Sequence, residues 1–221
     1  MARDLSIPEP PRLPTELLER AEIESLAHDD VYTETEVRER DLSEQEANGV
    51  ELREVTLSNV TLAGSRLDHL KVSDGEFAKC ELSNLHGQGI KASRVAIERS
   101  RLTGIVLQEA ALEDLAVRGC RVDLSSFAFS RLFRVTFEDC LMAEASFLEA
   151  ELGSVRFHRC DLTRADFRGA RLRRCEFRRC DLTELEGVHG LKGAAIDWPG
   201  IVAMADVWAG ALGISVLRDP E

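Results

Sequence analysis

An apolar residue recurs at every fifth position from Tyr32 to Leu182, and the register never slips. The series includes Leu52, Leu57, Leu62 and Leu67 early on and Phe157, Leu162, Phe167, Leu172 and Phe177 near its end; 30 of its 31 members are apolar, and Gly87 is the exception. In a chain that is 44% hydrophobic, chance does not produce such a run. Two residues before most members lies a second series of small or aliphatic side chains, among them Val55, Val60, Ser65, Cys80, Val95, Val135, Ala145 and Ala150. A helix returns to one face roughly every 3.6 residues and a flat strand every 2, so neither buries this pattern. A backbone that turns a corner every five residues does.

A short fixed period is the signature of a solenoid, whose coils bury their interior only by stacking on one another. With four repeats to a square coil, residues 20 apart stack. The repeats then make nearly eight coils and, at an inter-strand spacing of about 4.8 Å, a filled rod about 37 Å long. From Phe127 to Leu182 Leu and Phe alternate, with Met142 as one substitute, so Phe127, Phe147 and Phe167 are expected to face Phe137, Phe157 and Phe177 across the core.

The stretches AEASFLEAEL, CDLTRADFRGARL and CDLTELEG resemble the pentapeptide-repeat family, whose unit is written A(D/N)LXX, and the resemblance covers about residues 30 to 187. It implies an all-β solenoid, a right-handed quadrilateral β-helix. It is similar in particular to the gyrase-interacting, quinolone-resistance type, which implies a non-enzymatic binding protein and, as possible roles to test, a DNA mimic acting on DNA gyrase or topoisomerase IV and a homodimer joined through a C-terminal element. The alternative is a general protein-interaction scaffold with no topoisomerase role.

Three segments follow. Residues 1–30 form an acidic arm, in which Leu17, Leu18, Ala21, Ile23 and Leu26 after Pro14 give an approximate helical stripe, so a short helix is expected to cap the first coil. Residues 31–187 are the β-helix. Residues 188–221 hold a helix with Asp197 as its N-cap, Pro199 in its first turn and Gly213 just past its end. Trp198, Ile201, Val202, Met204, Val207, Trp208 and Leu212 make that helix apolar almost all round, so it caps the rod and is a candidate dimerisation element.

Little in the sequence points to catalysis. Cys80, Cys120, Cys140, Cys160 and Cys180 fall on one line of the coil and form a column of small buried residues, not a tetrahedral cage. The five histidines have no metal spacing, and Gly87, Gly89 and Ala92 complete a GxGxxA string that no helix follows. No cofactor or metal site is expected. The coil around Gly87 and Ala92 reads as under-filled. The chain has no apolar stretch of membrane-spanning length and no signal-type N-terminus, so a cytoplasmic location and no membrane association are expected.

The formal charge of −12 is unevenly placed: residues 1–50 carry −9, residues 51–150 carry −3, residues 151–185 carry +3 and residues 186–221 carry −3. A mimic copying B-DNA over this length would need roughly 22 negative charges, and the rod body does not supply them. The basic cluster Arg171, Arg173, Arg174, Arg178 and Arg179 is a candidate contact for an acidic partner; direct nucleic-acid binding is not expected of an acidic chain. Outward apolar residues Val106, Leu124, Phe129, Phe133 and Leu148, with Leu141 near them, make a candidate partner-binding stripe unless the N-terminal arm covers it.

Overall fold

A computed structural model describes residues 6–14 and 19–217. Strands in successive coils pair in parallel at an offset of 20 residues, as in Leu52 with Val72, Val72 with Ala92 and Leu112 with Leu132. The result is a four-sided parallel β-solenoid. Its faces are named here by their inward columns: face A holds Leu52 and Leu132, face B holds Leu57 and Phe137, face C holds Leu62 and Met142, and face D holds Leu67 and Phe147. All eight of these side chains are buried.

What turns the corner is a single residue two places after each inward position. All 31 such residues from Glu34 to Glu184 have positive φ, between 49° and 76°, and only six are glycine. A left-handed conformation costs a non-glycine residue about 1–2 kcal/mol. The corner N–H compensates by bonding to a carbonyl 19 residues on, as from Glu44 to Ala63 at 2.8 Å and from Arg159 to Arg178 at 2.9 Å. Corner after corner is thus tied to the coil above it.

The core divides into two kinds of filling. In the C-terminal half Phe127, Phe147 and Phe167 stack with centroids 5.2 and 4.8 Å apart, and Phe137, Phe157 and Phe177 do so at 5.3 and 4.8 Å. The two columns meet edge-on at 5.6 to 6.2 Å, the facing expected from the alternation. The N-terminal half is mainly aliphatic, with Phe77 among its buried residues, and keeps an apolar cavity of about 110 Å³. The Gly87 position itself is not empty: a Cβ there would lie 2.2 Å from Ile90 Cδ1, so Ile90 fills the space and the register runs on.

Both ends depart from expectation. Residues 15–18 of the anticipated N-terminal helix lie outside the described residues, and the remainder is extended: the strand Glu19–Arg20 pairs with Thr35 and Glu36, and Ile23 is buried beneath it. The free donors and acceptors of the first coil edge win over a weak helical stripe. At the other end the helix is two, α1 (Trp198–Ala203) and α2 (Ala205–Ala211), after a 3-10 turn Val188–Leu191. Asp197 Oδ1 accepts from the Gly200 N–H at 3.1 Å, Pro199 sits in the first turn, and Gly213 has φ +72° just beyond α2, as read from the sequence. The break falls at Met204 because that side chain is drawn completely into the last coil. Among the described residues no helix is long and apolar enough to cross a membrane.

Candidate protein-interaction surfaces

Each inward residue is flanked by two outward ones, and on most coils at least one of the pair is charged. Face D breaks this rule over four consecutive coils: His86, Gln88, Val106, Gln108, Ser126, Ala128, Ser146 and Leu148 include no Asp, Glu, Lys or Arg. Charge returns on either side, with Arg66 and Asp68 below and Asp166 and Arg168 above. On faces A, B and C an uncharged coil is never followed by another. The window spans about 15 Å of rod.

Its two corners carry Leu124 and Phe129, the only large apolar side chains among the left-handed corner residues, with φ of 56° and 60°. They are also 57% and 56% exposed, so neither conformation nor burial accounts for them. Val106 and Leu148 are half-buried on the face between. Phe133, by contrast, is a packing residue of face A: its ring covers the backbone of Gly153 and lies under the Arg134 guanidinium, 4.4 Å from the ring centre. Leu141 lies on face C, so the stripe read from the sequence is in fact a window on face D with two outlying residues.

Among the described residues, the N-terminal arm does not cover this window. Its described part runs along the corner between faces A and B, where the Glu9 N–H donates to Asp114 Oδ1 and the Arg12 N–H to Asp74 Oδ1, both at 2.9 Å. The two acceptors are held rigid. Arg134 grips both oxygens of Asp114 at 2.6 Å, and Arg94 does the same to Asp74. These guanidiniums, followed by the arm's own N–H groups, hold both carboxyls below the usual carboxylate range against the opposing effect of burial. Nothing in the sequence spacing announces this contact; the only signal is the proline-rich stretch IPEPPRLP.

The basic cluster is partly neutralised. Arg171 pairs with Glu151, and Arg178 with Glu176, whereas Arg173, Arg174 and the Arg179 guanidinium have no ion-pair partner among the described residues. Elsewhere acids and bases alternate between coils, as in Arg159 with Asp139 and Arg164 with Glu144, so no continuous acidic stripe runs along the rod. The cysteine column is present: Cys160 Sγ donates to the Phe137 carbonyl at 3.4 Å, and burial pushes the Cys120 thiol up to about 11. Among the described residues no cluster of His, Cys, Asp or Glu is placed to hold a metal ion.

Of the seven C-terminal apolar residues, Met204 is fully buried, and Val207 and Trp208 pack partly against the core, so these three close the last coil. Trp198, Val202 and Leu212 are 76%, 55% and 74% exposed, and Ile201 is half-buried.

Residues 118–186 match the family model described as a pentapeptide repeat region, and the same five-residue corner geometry continues N-terminal to that stretch as far as Glu34. Residues 118–186 are thus a pentapeptide-repeat region within a solenoid of the same period. Among solved structures it is similar to two trypsin-treated forms of QnrB1, a plasmid-mediated fluoroquinolone resistance protein. One is 14% identical, with 87% of this chain and 100% of that chain covered and a TM-score of 0.48. The other is 17% identical, with 91% and 97% covered and a TM-score of 0.48. A third match is HetL, a pentapeptide-repeat protein involved in heterocyst differentiation regulation from Nostoc sp. strain PCC 7120, at 15% identity, 76% and 89% coverage and a TM-score of 0.28. No curated protein matches the chain.

Proposed function

We propose that this chain is a non-enzymatic pentapeptide-repeat binding rod that engages a protein partner through face D. The supporting observation is the uncharged window bounded by Leu124 and Phe129, two bulky apolar residues kept exposed in a conformation that favours glycine. Interfaces are depleted of charge at their centre and enriched in aromatic anchors, which is the composition found here.

The corner geometry supplies an unusually clean test. In L124G/F129G the relief of left-handed strain, about 1–2 kcal/mol per residue, outweighs or offsets the backbone entropy of glycine, about 0.5–1 kcal/mol per residue, so the variant is expected to be no less stable than wild type. A photo-crosslinking residue at position 148 should give an adduct with a partner in cells, at least tenfold weaker in L124G/F129G. The same residue at position 56 on face B should give none. Equal adducts from both faces would remove the reading.

A topoisomerase-directed role is the second reading. The acidic surplus of the chain and the fluoroquinolone resistance named for QnrB1 favour it, while the neutral rod body opposes a full copy of DNA. In a gyrase supercoiling assay with and without a quinolone, a change at stoichiometric protein supports it; no effect at large molar excess rejects it.

We also infer that the uncovered residues of α1 and α2 seat a second copy. The expected mass by light scattering is twice that of one chain, falling to one chain in W198S/V202S. A wild-type monomer at micromolar concentration would refute this.

A further inference from the structure

The arm on the corner between faces A and B has a geometry that reaches beyond its own chain. Glu9 and Arg12 are three residues apart, and the carboxylates that receive their N–H groups, Asp114 and Asp74, are two coils apart. A polyproline helix advances about 9.3 Å in three residues, and two coil spacings are about 9.6 Å. One turn of polyproline therefore matches one repeat of the acidic anchors. Such a helix brings every third N–H to the same side, so a segment lying on this corner presents its donors in register with Asp74 and Asp114.

Side chains contribute little to the match. Pro8, Pro10 and Pro11 have no N–H, so within residues 8–12 only Glu9 and Arg12 are backbone donors, and their side chains point to solvent, where they pair with each other at 2.7 Å. The corner thus reads backbone donors and proline spacing, not the identity of the residues between. Its acceptors stay in place without the arm, since Arg134 and Arg94 fix them from within the rod. We propose that this corner is a recognition site for an extended proline-rich segment of a partner protein, of the pattern Pro-X-Pro-Pro-X, and that the chain's own arm occupies it in cis.

A tethered occupant acts at an effective concentration in the millimolar range, so a free peptide competes poorly until the arm is released. The full-length variant E9P/R12P does this selectively: it deletes both N–H donors and keeps the polyproline preference. The probe is a fluorescein-labelled peptide of residues 6–14, SIPEPPRLP. It is expected to bind E9P/R12P saturably and wild type at least tenfold more weakly. Adding D74N/D114N to E9P/R12P should abolish binding, as should the peptide SIPPPPPLP, which lacks the two anchoring N–H groups and leaves the protein untouched. The contact is independent of face D, so L124G/F129G should not alter it. Absence of saturable binding to E9P/R12P overturns the proposal, and so does equal binding to E9P/R12P and wild type. A wild-type dimer that becomes a monomer in E9P/R12P would assign the corner to arm exchange between copies instead.

Discussion

In Phe157→Ala the folded chain loses about 3–5 kcal/mol, and thermal unfolding moves down by roughly 10 °C. Phe157 is 1% exposed and touches four other rings: it stacks on Phe137 and Phe177 and meets Phe147 and Phe167 edge-on. No other ring in the ladder except Phe147 and Phe167 makes as many as three such contacts. Truncation leaves a void that the tied coils cannot close, because the strand carrying Phe157 is hydrogen-bonded on both sides. Phe157→Leu should cost far less, since Leu57 and Ile97 fill the same column of face B lower down. Solenoid stability is a sum of coil and neighbour terms, so hydrogen exchange should quicken most between residues 137 and 177. Uniform loss of protection along the rod would contradict a ladder built from nearest-neighbour contacts.

The second large effect is expected at Gly190→Ala. A Cβ at Gly190 would lie 2.0 Å from the Phe167 carbonyl oxygen, and that backbone, which bonds to Glu186 and Ala170, cannot move aside. The turn Val188–Leu191 must lift, uncovering Val188, Leu191 and Met204, for a loss of about 2–3 kcal/mol. Because an uncovered coil edge recruits other strands, light scattering should also show concentration-dependent self-association. Gly210 is the matched control: nothing lies within 4 Å of its Cβ position, and Gly210→Ala in α2 should raise stability slightly. If Gly190→Ala melts like wild type, the turn is not the seal of the rod.

The body of the rod was readable from periodicity because burial repeats with the backbone, which is why the facing of Phe127, Phe147 and Phe167 with Phe137, Phe157 and Phe177 could be stated in advance. The ends were less readable. Ile23 and Leu26 sit at helical spacing, yet the open edge at Thr35 and Glu36 offers unpaired backbone groups, and local pattern cannot report that demand. Corners carry mostly Glu, Arg and Asp where glycine would mark a left-handed turn, since bonds to the neighbouring coil hold them there. The arm's contacts join Glu9 to Asp114 and Arg12 to Asp74, 105 and 62 residues apart, and no period links them. Phe133 and Leu124 both read as outward apolar residues in sequence; Gly153 beneath one and solvent around the other separate a packing residue from a candidate anchor.

The five-residue corner also makes position on this surface a matter of counting. Inserting twenty residues in mid-rod would translate everything beyond by one coil spacing and leave its orientation alone, whereas inserting five would swing it a quarter turn onto the adjacent face. The face D window and the uncompensated arginines at residues 173, 174 and 179 are therefore fixed relative to each other in discrete steps, both along the axis and around it. A partner that grips both measures the chain like a notched gauge, and variation between such rods is constrained to jump by whole notches instead of drifting.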